Sequence, residues 1–493
     1  MRVDHLQKIV ELCQQQGKAH ELYFIARFQN RRDLSVQINN GKTEEIHTGK
    51  LLGVGLQVFN QAGYMGFAAS DQITPEIVVE LFEKAAFLAA QSAQFQGEAN
   101  LEFKKLIPLQ AKKELSLRYP YGSLTLAEIE TQLQEMNQVL RKLDSRLAVR
   151  TLFRMTEEEW RIIRSDGTDV SFNTPRAMVY HSLTAKEGME TATNYACLPG
   201  IDLSLLVEIE LRQKIATRAV KAAHLTLDLL KAGKIPSGNY KLVIDYALAK
   251  GLAHEAFGHA AETDHLESSI LGEQGRMKTG MMVANPKLSI IDGSIPGDYA
   301  YQPFSAVGAE RQTVRIVTDG RLTAGLADIF SADRAGVPPT GAERVESIFH
   351  LPIARMSNIH IEMKDPLPLE IPFEETTPAA LYQLLKQYSL IAPGEKVLYL
   401  TGFQGGQVNP AFGDFVFHCS GIYELSEEPK LYKPAIFSGK VLSVLNSVSQ
   451  AIGAMQLDAM GTCGKMGQGV PSCGGSHYFL MIESNPEIII GGE

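Results

Sequence analysis

The chain has 493 residues, 45% of them hydrophobic and 21% charged, close to the average for a soluble globular protein. That composition excludes a disordered chain, a collagen and a small disulfide scaffold, and the length predicts about two or three domains. Lys plus Arg number 47 and Asp plus Glu 56, and the resulting net charge of −9 argues against general binding to nucleic acid or to an anionic membrane surface.

No apolar run reaches the ~18–20 residues of a spanning helix, and the N-terminus does not read as a signal peptide. Instead, Leu6, Ile9, Val10 and Cys13 fall on one helical face, with Asp4 as the expected N-cap and Gly17 as the stop. Strands follow. Asn40-Gly41 marks a two-residue hairpin between 34–39 and 42–47, because both residues tolerate positive φ. A second hairpin is expected over 51–59 and 63–69. Thr74-Pro75 opens a helix whose buried face is Ile77, Leu81, Ala85 and Leu88. Residues 96–123 read as a long connection. Thr125 and Glu128 form a capping box before a helix with the inner stripe Ile129, Leu133, Met136, Leu140 and Leu143. Strands over 147–195 lead to a helical stretch that ends near Gly233 and Pro236. The expected fold is therefore α+β in two domains: a mixed sheet with helices over residues 1–232, then a β-rich domain over 233–493. Five widely spaced cysteines (Cys13, Cys197, Cys419, Cys463 and Cys473) do not form a disulfide framework, so reduced thiols and a cytoplasmic location are expected.

The chemistry is concentrated in His254-Glu255-Ala-Phe-Gly-His259, an H-E-x-x-x-H spacing. In the zinc-peptidase pattern H-E-x-x-H, i,i+4 spacing puts both imidazoles on one helical face. Here the spacing is i,i+5, which on a regular helix turns the two side chains about 140° apart. The pair can share one ion only if the turn holds an extra residue. The expectation is a π-bulged or broken helix over Ala256–His259, eased by Gly258. A catalytic zinc site also needs a third protein ligand. Cys463 is one candidate, flanked by glycines on tight, exposed backbone, with Lys465 nearby to favour its thiolate. Cys473 also lies among glycines, and chemistry alone does not separate the two.

The sequence HEAFGHAAETD, the block from Thr340 to Asn358, the pair GGQV and GDFVF after Gly405, and GTCGKMGQGVP together resemble the TldD/PmbA family of metallopeptidases, in family order over nearly the whole chain. The N-terminal Gly53-Val-Gly55 and Gly66-Phe-Ala68 fit the same resemblance. It implies that His254, His259 and Cys463 bind Zn2+, and that Glu255 is the general base acting on a metal-activated water during hydrolysis of extended or unfolded peptides. Glu262 and Asp264 are candidates for orienting the ligand imidazole. His350 and Arg355 are candidates for binding substrate, with a salt bridge or cap as the alternative. The backbone of Gly405, Gly406 and Gln407 is a candidate wall of a strand-addition groove, with a structural turn as the alternative. The resemblance further implies a homodimer, or a heterodimer with a PmbA/TldE-type subunit lacking the motif. A non-catalytic regulatory or scaffold subunit is the rival reading, and Glu255 beside a ligand argues against it. Ala342-Glu343, Asp292-Gly-Ser and Gln456-Leu-Asp458-Ala459 depart from the family pattern.

Overall fold

The structure, a computed structural model, describes residues 3–95 and 97–491, with side chains from residue 7 onward. The fold is α+β. Among the described residues there are two large sheets, of eight and thirteen strands. The first lies within residues 23–200 and the second within 241–490, on either side of the expected boundary at 232/233.

The first sheet is built on two long antiparallel strands, Tyr23–Asn39 and Lys42–Phe59, joined at Asn40-Gly41 with φ of 49° and 82°. The two expected hairpins therefore share one continuous strand rather than two short ones. The first helix spans Val3–Ala19; it starts before Asp4 and runs through Gly17, so neither residue bounds it. Thr74 caps the helix Pro75–Gln94, as its Oγ1 accepts from the Ile77 N–H. The buried face of that helix is Val78, Leu81, Phe82, Ala85 and Ala89, while Leu88 stays exposed. The expected stripe was rotated because the aromatic Phe82, not Leu88, fills the space over the sheet beside Phe24. The Thr125–Glu128 capping box is present, and Ile129, Leu133 and Leu140 are buried below it. Leu143 lies beyond the end of that helix and is partly exposed. The connection expected over 96–123 holds a short 3-10 turn, Glu102–Lys105, and a strand, Gln110–Lys113.

The second sheet is organised by one strand, Gln468–Ile482. It pairs in parallel with Asn358–Met363, antiparallel with Lys241–Asp245 and Val448–Gln456, and antiparallel with Gly461–Lys465 in a hairpin. Most of its residues are buried, as expected for a strand with neighbours on both edges. The two halves meet through a shared apolar cluster in which Ile25, Trp160 and Phe172 pack with Phe304, Val307 and Ile348. Gly55 allows this approach, since a Cβ there would lie 2.3 Å from the Ile348 carbonyl oxygen. Gln29 Oε1 accepts from the Ile348 N–H at 3.0 Å.

Candidate metal centre

Strand Lys241–Asp245 ends in the residue that starts the key helix. The Asp245 carboxylate accepts from Leu248 N–H at 2.9 Å and caps Tyr246–Gly251. The helix then widens. Leu252–Gly258 is wound as a π-helix, and the His259 N–H bonds to the His254 carbonyl, five residues back. A 3-10 turn, His259–Ala261, follows, and Glu262 leaves the helix with ψ of 125°. The coil is driven inward by its composition: Leu252, Ala253, Ala256, Phe257, Ala260 and Ala261 are all buried in the core of the second half. Wide winding lets donors five residues apart return to one side.

Gly258 does not act as expected. Its φ and ψ of −60° and −46° suit any residue, so conformational freedom is not what the position needs. It needs space. A Cβ there would lie 2.2 Å from Met356 Sδ and 2.9 Å from Ile359 Cδ1. Gly258→Ala is expected to cost about 1–3 kcal/mol by overpacking, read as a lower Tm in calorimetry. An unchanged Tm would mean that Met356 yields freely.

The nitrogen and sulfur atoms of His254, His259 and Cys463 lie within 4.8 Å of one another. The two imidazoles stand at 90° with ring centroids 5.3 Å apart. Cys463 Sγ lies 3.6 Å from His259 Nε2. Cys463 comes from the strand Gly461–Lys465, in a hairpin turned at Met466-Gly467. It is buried within that hairpin, not held on exposed backbone as expected, because the hairpin packs onto the second-half core. Cys473 lies elsewhere on the partner strand, with its sulfur 3.3 Å from the Leu457 carbonyl.

The electrostatics suit metal ligation. His254 is fully buried and neither ring nitrogen has a hydrogen-bond partner, an arrangement that costs free energy unless something else binds there. Burial, with the charges of Lys250 and His259, holds its pKa well below the usual histidine value, so the ring is neutral. At His259 burial opposes protonation, but Glu262 and Cys463 outweigh it and lift the pKa to about 10. Burial raises the Cys463 thiol, but His259 and then Arg355 outweigh it and hold the thiol below its usual value. The two shifts run together, since each group favours the charged form of the other. The set of two imidazoles and a thiolate fits zinc.

Glu262 is buried, and its Oε2 lies 3.1 Å from His259 Nδ1, fixing the ring so that Nε2 faces the sulfur. Lys465 does not act on the thiol. Its Nζ donates to Glu262 at 2.8 Å and to both oxygens of Asp264 at 2.8 Å. Asp264 therefore meets the histidine only through Lys465 and Glu262. This bridge ties the hairpin to the helix end, and sequence reasoning missed it because some 200 residues separate the partners. Glu255 lies between the two histidines, its Oε1 3.9 Å from His254 Nε2 and its Oε2 3.9 Å from His259 Nε2. Unlike its neighbours it is partly exposed, and it lines a cavity of about 420 Å³.

The remaining candidates divide. Arg355 is fully buried, its guanidinium donating to the carbonyls of Cys463 and Gln468, so it braces the hairpin. His350 Nδ1 lies 3.0 Å from Ser347 Oγ, a contact within its own turn. Gly405 and Gly406 line the Glu255 cavity, and Gln407 does not. Strand Val397–Asn409 pairs with Lys241–Asp245 only as far as Leu400, so from Thr401 onward one edge has no strand partner among the described residues. Its register shifts at Gly405, where φ is 98°.

Family models of the PmbA/TldA metallopeptidase match in order: domain 1 at residues 26–89, the central domain at 119–227 and the C-terminal domain at 237–472. A protein named metalloprotease TldD homolog from Haemophilus influenzae is 28% identical over 481 residues, covering 94% of this chain and 92% of its own. A zinc metalloprotease TldD homolog from Saccharolobus solfataricus is 25% identical over 254 residues, covering 51% of this chain and 52% of its own. The crystal structure of TldE from Thermococcus kodakarensis has the same fold, with a TM-score of 0.72 at 16% identity over 98% of this chain and all of its own. With three successive domain models matched across most of its length, the chain is a member of the PmbA/TldD metallopeptidase family.

Proposed function

We propose that this chain is a zinc-dependent peptidase that hydrolyses extended or unfolded peptides, with His254, His259 and Cys463 as the ligands. The observation that carries the reading is the fully buried His254, with both nitrogens unpartnered, grouped with a second imidazole and a cysteine sulfur within 4.8 Å. The name of the Saccharolobus relative supports zinc as the metal. Bound there, zinc supplies a Lewis acid that polarises the scissile carbonyl and acidifies the attacking water. Glu255, placed between the two histidines and facing the cavity, accepts the water's proton and returns it to the departing amine nitrogen. Glu262 keeps His259 in one orientation, with Nδ1 turned away from the sulfur.

The substrate lies along the open edge of Val397–Asn409, next to Gly405 and Gly406, where backbone hydrogen bonds bind with little regard for sequence. The C-terminal half, residues 233–493, carries the chemistry, and the half over 1–232 walls the cavity through Tyr195, Arg218 and Leu225. The working unit is a dimer, with a second copy or with a TldE-type subunit. The location is cytoplasmic, consistent with five free cysteines. No helix among the described residues is long and apolar enough to cross a membrane.

The test is metal analysis of protein purified without chelators, followed by hydrolysis of an unstructured peptide before and after 1,10-phenanthroline. One zinc per chain is expected, with cleavage abolished by the chelator and restored by zinc. Zinc-loaded protein that cleaves nothing, alone or with a TldE-type subunit, would favour the scaffold reading.

A further inference from the structure

Two lysines flank the candidate metal centre, and they are not alike. On the strand Gly461–Lys465, alternate residues 461, 463 and 465 point to one face. Lys465, on one side of Cys463, is consumed by Glu262 and Asp264. On the other side the position is Gly461, and the space its side chain would fill is taken by Lys250: a Cβ at Gly461 would lie 3.4 Å from Lys250 Nζ. Two strand residues span about 6.6 Å, so this ammonium stands within about 10 Å of the Cys463 position.

Lys250 sits on the helix Tyr246–Gly251, one turn before His254, and is only 6% exposed. Its one side-chain hydrogen bond is to Ser472 Oγ at 3.2 Å, and no carboxylate lies within ion-pairing distance among the described residues. It lines the same cavity as Glu255, Gly405 and Gly406. A buried ammonium with three donors and a neutral hydroxyl for a partner is under-satisfied. Burial lowers its pKa, and the nearby Glu255 acts against this.

We propose that Lys250 donates to the oxyanion formed during peptide cleavage. The assignment rests on the peptidase reading above and deepens it. When water oxygen bonds to the carbonyl carbon, the π pair of the C=O moves onto its oxygen. That pair then re-forms the C=O as the C–N bond breaks, and the bonding pair leaves on the amine nitrogen, which takes the proton held by Glu255. Negative charge develops on that oxygen only during the step, so a donor already stripped of water and facing the cavity favours the transition state over the bound peptide.

The experiment compares wild type, Lys250→Ala and Glu255→Gln on an unstructured peptide, with zinc measured in each. Lys250→Ala is expected to keep its zinc, lose about 10²–10³-fold in kcat with KM changed little, and regain part of that rate with ethylammonium chloride but not with sodium chloride. A structural lysine would not be rescued in this way. Lys250→Met, which keeps the stem, serves if the alanine variant loses zinc; loss of zinc in both would overturn the assignment and make Lys250 a structural residue. An effect confined to KM that disappears with a C-terminally amidated peptide would overturn it in favour of carboxylate binding. If Glu255→Gln is inactive while Lys250→Ala cleaves at the wild-type rate, this assignment alone falls. If wild type never cleaves, the peptidase reading falls and takes Lys250 with it.

Discussion

Replacing Glu255 by Gln is expected to lower kcat for peptide hydrolysis by about 10²–10⁴-fold while leaving zinc at one per chain. The amide keeps the volume and most hydrogen bonding of the carboxylate but cannot take a proton. Glu255 makes no close contact with the three donors, since its oxygens stay 3.9 Å from both imidazole nitrogens, so the substitution should not disturb the ligands. It is also partly exposed in the cavity wall, which argues against a loss of stability. Steady-state kinetics with metal analysis on the same preparations would decide. Normal turnover would remove Glu255 from the mechanism. Loss of zinc together with activity would make it a ligand instead of a base.

The second large effect is expected at the thiol. Cys463→Ala should lower zinc affinity by more than the 10–100-fold typical for losing an outer partner, and hydrolysis should vanish at micromolar zinc. Cys473→Ala is the control, because its sulfur faces the Leu457 carbonyl and not the imidazoles. A ligand that binds only the folded state stabilises it by about 4 kcal/mol at a thousandfold excess over Kd. Wild type and Cys473→Ala should therefore gain Tm when zinc is added, and Cys463→Ala should gain much less. A zinc response lost in Cys473→Ala but kept in Cys463→Ala would reverse the assignment of the third ligand.

How much of this was legible in the residues depends on range. Local signals were clear. Thr74-Pro75, Thr125 with Glu128, and Asn40-Gly41 act through atoms a few residues apart, and each boundary lies where its chemistry puts it. The five-residue offset of the histidines raised the question of winding, and Leu252–Gly258 has i→i−5 hydrogen bonding. Long-range causes were not legible. In one dimension Gly258 reads as easing a distorted turn, whereas in three it is a gap kept open for Met356. Lys465 reads as a neighbour of Cys463, yet on a strand alternate residues lie far enough apart for its ammonium to reach two carboxylates instead. Helix faces were placed correctly only where aliphatic spacing was unambiguous. In Pro75–Gln94, Phe82 shifted the stripe by one residue. Lys250 gave no signal at all, because a lysine before an apolar helix reads as solvated, and only the absence of a side chain at Gly461 leaves room for it.

The hairpin that brings Cys463 to the histidines has a consequence for how the molecule is made. Its second strand, Gln468–Ile482, also joins Lys241–Asp245 to Asn358–Met363. During synthesis both imidazoles emerge some 200 residues before the sulfur, and the strand that unites their surroundings comes later still. A ribosome-bound or prematurely terminated chain thus has a base and two nitrogens but no finished centre. On the proposed peptidase reading, hydrolytic capacity arrives only once the strand carrying Cys463 is made, so the chain passes through its own unfolded stage disarmed.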